Sequence, residues 1–328
     1  MKWKYSEYGE GKAPFSKQMK WKMKKVYVDG ANGIIGSKVL SKLRSRRDLE
    51  LLMLSEPADE AARLSAANQA DIIILSASAG ESDTILNAVE GSEKVVIDAT
   101  ARFVMHPDWV YGFAELTPQQ EQRIALAKRI TVPSVFGIGM SVLVKPLIDA
   151  RMISLATPLS CYCVSGYSIG GPAMAEQYKN SNSEIFKAPR QFNIPQNHTA
   201  LDEVMVMAGL KQVPVFLPTV ANYYSGVHMS IALPASSLQS VGTEDIKWVY
   251  AHKYNGSIIR YNRLIEHDSF ISAASYMGRD SMEVYVIGNE QSIVLGTRYD
   301  NLGKGSAATA VECLNIVMGV SHAKGLDL

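Results

Sequence analysis

The sequence predicts an α/β fold: a doubly wound parallel sheet followed by an α+β second domain with a mainly antiparallel sheet. A short apolar strand, a glycine-rich turn and an amphipathic helix follow one another within residues 26–43. Strand-like and helix-like segments then alternate to about residue 150, which is typical of a parallel sheet. Beyond residue 150, strand-like segments succeed each other with few helices between them, which favours an antiparallel sheet.

The turn after the first strand carries Gly30, Gly33 and Gly36 at intervals of three residues. A tight turn needs a residue that tolerates positive φ, a pyrophosphate needs close backbone approach, and a helix start offers unpaired N–H groups. The pattern therefore predicts a Rossmann domain that binds a dinucleotide; the alternative is a tight turn that binds nothing. The cofactor-binding residues predicted at the turn are Gly30, Asn32, Gly33, Ile34, Ile35 and Gly36.

The other elements follow from apolar patterning. The run DIIILS at 71–76 is typical of a strand buried on both faces. In the first domain, further strands are predicted at 49–54, 95–99 and 130–132, and helices at 57–68, 80–89, 117–128 and 137–150. In the second domain, strands are predicted at 159–164, 213–220, 226–233, 257–261 and 281–288, before an apolar helix at 303–320.

These elements predict four parts of the chain. They are a basic, flexible extension at 1–24, a dinucleotide-binding domain at 25–150, a substrate and dimerisation domain at 151–300, and a C-terminal helix at 301–328 that returns to the first domain. Lysines recur in the extension without an apolar period, and a start at Met19 or Met23 is an alternative. The same lysines also allow a more specific interpretation, in which the extension is a basic arm that binds a polyanion.

Composition excludes several classes of function. The chain has 328 residues, 47% of them hydrophobic, and a formal net charge of +1, so nothing indicates a nucleic-acid partner. No apolar run approaches the roughly 20 residues of a membrane-spanning helix, and no signal peptide is visible. The three cysteines lack zinc-ligand spacing, so no metal site is expected, and their odd number indicates reduced thiols in the cytoplasm.

With these segments in place, the chain resembles the short-form N-acetyl-γ-glutamyl-phosphate reductases, relatives of the aspartate-semialdehyde dehydrogenases. The motifs that carry the resemblance are GANGIIG at 30–36, LRSRRDLELL at 43–52, IDAT at 97–100, WVYGFAEL at 109–116, VSGYSIGG at 164–171 and DNLGKGSAATAVECLN at 300–315. The resemblance implies NADP binding, a small-molecule substrate and a homodimer or homotetramer formed through the second domain. It also implies that a cysteine thiolate displaces phosphate from an acyl phosphate before hydride reduces the thioester.

The resemblance extends the predicted sites. It adds Ser55, Ser76, Asn301 and Gly303 to the cofactor site, and it implies a substrate pocket lined by Ser165, Gly166, Tyr167 and Ser168. The choice between NADP and NAD stays open. Glu56 lies 20 residues after Gly36, where an acidic residue favours the free 2′-hydroxyl of NAD, whereas Arg44, Arg46 and Arg47 suit a 2′-phosphate.

Three positions depart from the family's catalytic pattern. Val135 stands where the family has its cysteine, and Val104 stands where it has an arginine for a substrate carboxylate. The family's catalytic histidine falls near Ala200 by count, with His198 two residues away. Cys163 is a conceivable substitute nucleophile, although a small buried residue in a strand is the simpler interpretation.

Three interpretations of function remain. The first is a reductase that transfers hydride to a small imine, ketone or aldehyde without a thioester, with His198 and Tyr167 as predicted catalytic residues and Tyr111 as a further candidate proton donor. The second is a non-catalytic homologue that binds the cofactor or serves as a scaffold. The third is the family reaction, retained through another nucleophile.

Overall fold

The structure is a computed structural model that describes residues 23–55, 58–239, 241–265 and 269–328. Nearly all of the predicted basic extension, including the alternative start at Met19, lies outside the described residues. Glu56, on which the argument for NAD rests, also lies outside them. Lys24 already belongs to the first strand.

The first sheet has six parallel strands in the order β2-β1-β3-β4-β6-β5. They are β1 (Lys24–Asp29), β2 (Leu49–Leu52), β3 (Ile72–Leu75), β4 (Val95–Asp98), β5 (Val110–Tyr111) and β6 (Arg129–Thr131). The predicted doubly wound parallel sheet is thereby confirmed. The short strand β5 was not predicted.

The described residues also form α-helices, most of which lie between strands along the chain. They are α1 (Ile34–Leu43), α2 (Glu60–Gln69), α3 (Ala79–Ala88), α4 (Gln120–Leu126), α5 (Val135–Asp149), α6 (Gly171–Asn180), α7 (Thr199–Ala208), α8 (Thr243–Lys253) and α9 (Ala308–Val317). Helices α1 and α9 cover one face of the first sheet, packed on Ile72 and Ile74. Helices α2 and α3 cover the other face, packed on Ile73 and Leu75. Alternate side chains of one apolar strand thus enter two cores, as the run at 71–76 predicted.

The second sheet has seven strands in the order β11-β12-β13-β10-β7-β9-β8. They are β7 (Ser160–Gly166), β8 (Arg190–Gln191), β9 (Val215–Ala221), β10 (Val227–Pro234), β11 (Ile259–Tyr261), β12 (Met282–Gly288) and β13 (Ser292–Tyr299). Pairings β7–β9 and β11–β12 are parallel and the other four are antiparallel, so the prediction of a mainly antiparallel sheet is confirmed. The expectation of few helices between these strands is wrong, because α6, α7 and α8 intervene.

Helix α5 connects the two sheets and places its first turn between them. Its apolar residues share one core with the second sheet; Ile138 and Met140 pack in the same cluster as Cys161 and Met229. A short π-helical segment, Gly303–Ala307, leads from β13 into α9 and contacts both α1 and α5. Helices α1 and α5 are thus connected through one segment.

The predicted division at residue 150 stays a prediction, and a buried ion pair joins the regions on its two sides. Lys42 on α1 pairs with Asp280, which also accepts a hydrogen bond from the backbone N–H of Asp327. No described helix is long and apolar enough to cross a membrane.

Candidate active site

The glycine turn is packed so closely that side chains are excluded from it. Gly30 has φ +76°, and a Cβ there would lie 2.5 Å from the Ala77 nitrogen. A Cβ on Gly36 would lie 2.2 Å from the Gly30 carbonyl oxygen. Gly33 donates its N–H to that same oxygen at 3.0 Å, which closes the turn. The glycines therefore permit both the backbone conformation and the contact with the loop after β3.

The start of α1 faces an open cavity beside this turn. Gly33 occupies the N-cap position, no side chain caps the helix, and no acidic residue lies in its first turn. The cavity holds about 380 Å³ and is lined by Gly30, Asn32 and Gly33 together with Ser76 and Ser78. Uncapped N–H groups and the positive end of the helix dipole suit an anion, so the cavity fits the pyrophosphate of a dinucleotide.

A buried salt bridge that the sequence did not reveal forms one wall of this cavity. Asp29, at the end of β1, is fully buried and accepts two hydrogen bonds of 2.9 Å from the guanidinium of Arg63. The Tyr27 hydroxyl donates to the same carboxylate at 3.0 Å. The Ser76 hydroxyl donates to the Asp29 carbonyl oxygen at 2.6 Å, so it ties two strand ends together. Its predicted contact with the cofactor stays a prediction.

The arginines proposed for a 2′-phosphate differ in availability. Arg46 donates to both carboxylate oxygens of Asp48 at 2.7 Å and to Asn315, so it is engaged away from the turn. Arg44 is exposed and lines a second cavity, of about 420 Å³, which also contains Asn32. Arg47 and Ser55 are exposed as well. Arg44 is therefore the arginine of the three that shares a cavity with the glycine turn.

Two motifs predicted for cofactor and substrate are joined by the Asn301 side chain. Its Nδ2 donates to the Ser168 hydroxyl oxygen at 2.9 Å, and its Oδ1 accepts from the Gly226 N–H at 2.9 Å. Gly303 is packed so tightly that a Cβ would lie 2.1 Å from the Arg279 carbonyl oxygen. Both residues therefore hold the protein together at this point, and their predicted cofactor contacts stay predictions.

The predicted substrate loop, 165–168, begins where β7 ends. Ser165 is fully buried, and a Cβ on Gly166 would lie 2.6 Å from the Tyr224 carbonyl oxygen. Tyr167 is half-buried; it stacks on Tyr178, with ring centroids 4.9 Å apart, and meets Tyr224 edge-on. The aromatic packing holds the Tyr167 ring in place. Its catalytic role stays a prediction.

The structure brings His198 to the start of α5. His198 caps α7, its Nδ1 accepts the Ala200 N–H at 3.1 Å, and its ring lies edge-on to Phe136 with centroids 5.3 Å apart. Val135, the first residue of α5, is half-buried, and a Cβ on Gly305 would lie 3.5 Å from its Cγ1. Burial lowers the pKa of His198, so the neutral imidazole is favoured.

Glu203 is the functional candidate that the sequence analysis missed. It is fully buried on α7 and accepts hydrogen bonds from the Tyr111 hydroxyl at 2.6 Å, from the Ser134 N–H at 3.0 Å, and from the Ser134 hydroxyl. Burial raises the pKa of Glu203 to about 7, although these hydrogen bonds oppose the effect. Tyr111 is itself buried, so its hydroxyl donates to Glu203 in the interior of the protein. A carboxyl of this kind, at a helix start, is suited to exchange a proton near neutral pH.

All three thiols of the chain are inaccessible. Cys161, Cys163 and Cys313 are free and at most 1% exposed, and burial raises the pKa of each thiol. A nucleophilic cysteine needs a lowered pKa and an approach path, and these have neither. Among the described residues, no cluster of histidine, cysteine, aspartate and glutamate could hold a metal ion.

Comparison with known proteins finds two domains of one family in this chain. Residues 25–124 match the NAD binding domain of semialdehyde dehydrogenases, and residues 136–301 match their dimerisation domain. N-acetyl-gamma-glutamyl-phosphate reductase 2 of Nostoc sp. is 29% identical over 320 residues, which cover 92% of this chain and 99% of the relative. The N-acetyl-gamma-glutamyl-phosphate reductase of Brucella suis is 31% identical over 308 residues, which cover 90% and 99%.

Solved structures show the same fold. Aspartate semialdehyde dehydrogenase II of Vibrio cholerae, in complex with ASA, superposes with a TM-score of 0.68 at 17% identity, covering 91% of this chain and 99% of that one. The enzyme of Francisella tularensis gives 0.69 at 14% identity, with coverage of 90% and 100%. The matches confirm the predicted family resemblance and the predicted cofactor class, NAD or NADP. The two matched domains and the relatives aligned over most of their length show that this chain belongs to the semialdehyde dehydrogenase family.

Proposed function

We propose that the chain is an NAD(P)H-dependent reductase that transfers hydride to a small imine, ketone or aldehyde without a covalent cysteine intermediate. The observation that carries this proposal is the contrast between two sites. The glycine turn keeps an uncapped helix start beside an open cavity, whereas every thiol of the chain is buried. Val135 occupies the start of α5, where the family resemblance expects the nucleophile, and a valine side chain has no atom that can attack a carbonyl carbon.

Hydride transfer without a thioester requires three things of this protein: a bound reduced nicotinamide, a positioned carbonyl or iminium carbon, and a proton donor. The nicotinamide supplies the hydride. The Gly303–Ala307 segment contacts α1 and reaches Val135 at the start of α5, which supports a substrate position beside this segment. His198 is a candidate hydrogen-bond donor to the substrate there, because its Nδ1 accepts the Ala200 N–H and its Nε2 then carries the hydrogen of the neutral imidazole.

The alternative with a retained thioester receives little support from Cys163. Its side chain points into the core beneath β7, and burial holds its pKa far above neutrality. An acyl phosphate would have to enter that core before the thiol could attack. The scaffold alternative is favoured only if cofactor binds and no substrate turns over.

We extend the proposal to assembly and location. A homodimer or homotetramer formed through the region 151–300 is supported by the match of residues 136–301 to a dimerisation domain. The division of the chain into a cofactor domain at 25–150, that second domain and a returning helix at 301–328 belongs to the same proposal. Three unpaired thiols support a cytoplasmic location. Sedimentation velocity tests the assembly, and a monomer would contradict it.

Binding and turnover test the central proposal. NADPH and NADH are titrated while the quenching of protein fluorescence is followed, and cofactor oxidation is then measured with imines, ketones, aldehydes and acyl phosphates. We expect binding of at least one cofactor and turnover of a carbonyl or imine that survives Cys163→Ser. Turnover of acyl phosphates alone, abolished by Cys163→Ser, would refute the proposal. Tight binding with no turnover in any class would favour the scaffold.

A further inference from the structure

We propose that Ser134 and Glu203 form a proton relay that protonates the oxygen or nitrogen of the substrate as hydride arrives at carbon. The inference rests on the proposed reductase function and assigns it a proton source. Ser134 would be the catalytic residue, because it is half-buried at the start of α5, and Glu203 would act through it from the interior.

The hydroxyl of Ser134 has the connections that a relay requires. Its oxygen accepts the N–H of Gly137 at 3.0 Å, as the N-cap of α5, and it hydrogen-bonds to Oε2 of Glu203. A hydroxyl carries one proton and two lone pairs. If Glu203 is protonated, it donates to the hydroxyl oxygen, and the proton of Ser134 is free to turn away from Glu203, toward a substrate bound at the start of α5. If Glu203 is ionised, the Ser134 proton turns inward and no donor is presented.

The step accounts for every proton and electron pair. Hydride adds to the carbonyl carbon with its electron pair, and the π pair of the C=O bond becomes an O–H bond with the proton of Ser134. The Ser134 oxygen regains a proton from Oε2 of Glu203, which is left as a carboxylate. Solvent reprotonates that carboxylate after product leaves. For a neutral imine, the nitrogen takes the place of the carbonyl oxygen.

The surroundings of Glu203 suit both of its charge states. The Tyr111 hydroxyl from β5 and the Ser134 N–H remain as donors to the carboxylate once the proton has left. Tyr299, from β13, also interacts electrostatically with Glu203; its hydroxyl donates to the Val135 carbonyl oxygen, and burial keeps it neutral. No ion pair to Glu203 occurs among the residues that the structure describes, so burial governs its titration.

Gly137 is the structural reason that a carboxyl can reach the start of α5. A Cβ at this position would lie 2.1 Å from the carboxyl carbon of Glu203. The absent side chain therefore leaves the space that Glu203 occupies. His198 is the competing donor, but burial lowers its pKa and so leaves few protonated imidazoles at neutral pH, whereas the pKa of Glu203, about 7, matches the task.

Turnover of four variants tests the relay, using whichever carbonyl or imine substrate the wild-type chain reduces. We expect Glu203→Gln and Ser134→Ala to lower kcat by about 10²- to 10⁴-fold, the usual contribution of a positioned acid, with unchanged binding of NADPH. Ser134→Thr keeps the hydroxyl and the helix cap, so it should restore most of the rate. Asp202→Asn neutralises an exposed carboxylate on the same helix and should be silent. Wild-type kcat should fall above about pH 7, and Glu203→Gln should abolish this limb.

Two outcomes would overturn the relay. One is a Glu203→Gln variant whose kcat equals that of the wild-type chain and still falls as the pH rises above neutrality. The other outcome needs no substrate and comes from infrared spectra at pH 6. The relay predicts a protonated-carboxyl band in the wild-type chain that Glu203→Gln removes and Ser134→Ala shifts. A wild-type spectrum without that band would overturn the relay. If that band is present but no substrate class turns over, the proposed reductase function is refuted, and so is the catalytic role of Ser134 and Glu203. The hydrogen-bonded pair itself would still be confirmed.

Discussion

The buried carboxyl of Glu203 predicts a specific pH dependence of stability. In the folded chain burial raises its pKa to about 7, whereas an ordinary glutamate titrates near 4.5. A carboxyl whose pKa is raised by folding stabilises the fold fully below the unfolded pKa, and the contribution is lost as pH rises through the folded pKa. The wild-type chain should therefore lose stability from this group between about pH 4.5 and pH 7, and no more above that.

The magnitude follows from the size of that difference. Each pKa unit corresponds to about 1.4 kcal/mol, so the loss from Glu203 is about 3 kcal/mol. Glu203→Gln keeps the shape and does not titrate. The free energy of unfolding of Glu203→Gln minus that of the wild-type chain should thus become more positive by about 3 kcal/mol between pH 4.5 and pH 8. Subtraction cancels other groups, including Glu312, whose pKa burial raises to about 7.

Urea unfolding followed by circular dichroism measures the difference at closely spaced pH values, with refolding checked at each one. Asp202→Asn is the matched control, because its carboxylate is exposed and should give a flat difference curve. A flat curve for Glu203→Gln would refute the argument that burial outweighs the three hydrogen bonds at Glu203.

Three further predictions follow from the packing. Gly36→Ala should abolish binding of NADPH and NADH, because its Cβ would lie 2.2 Å from the Gly30 carbonyl oxygen. The control Gly80→Ala, whose Cβ would have nothing within 4 Å, should bind both cofactors normally. Equal affinities of the two variants would contradict cofactor binding at the glycine turn. Lys42→Ala should cost about 3–5 kcal/mol in urea unfolding, because the buried Asp280 loses its cation, whereas Lys25→Ala, in an exposed pair, should cost less than about 1 kcal/mol. A thiol reagent should modify the native chain slowly at all three cysteines and quickly after denaturation; one fast native thiol would contradict their burial.

The first sheet could be predicted because its signals are local. The run at 71–76 is apolar throughout, and the glycine spacing at 30–36 falls directly after a strand, so neither prediction needed a tertiary contact. The parallel pairing of β1 with β3 then followed from the alternation of strands and helices.

Strand β13 was missed for a physical reason. Gly296 lies in its middle, and glycine weakens a strand pattern. In the sheet Gly296 pairs with Tyr285 of β12, and a Cβ on Gly296 would lie 2.1 Å from that ring. Gly296 therefore leaves space for the Tyr285 side chain of the neighbouring strand. The residues of β13 alone do not reveal this contact, so they do not predict the strand.

The candidate site depends even more on contacts between residues that are far apart in the sequence. Glu203 is 69 residues from Ser134 and 92 from Tyr111, and these three meet only after α5 and α7 have packed. In the sequence Glu203 follows Asp202, and the acidic pair resembles two solvated charges. His198 became a candidate because the family resemblance places a catalytic histidine two residues away, whereas nothing in the sequence marks Glu203 as buried.

Reduction without a covalent intermediate on the protein is tested most directly by the intact mass of the chain. The wild-type protein, saturated with the oxidised cofactor, is incubated with an acyl phosphate and quenched in acid, and its mass is then measured. We expect the unmodified mass, because the start of α5 presents Val135 and the three thiols are buried. A mass increase equal to one acyl group, mapped by peptide analysis to a cysteine or to Ser134, would contradict the account.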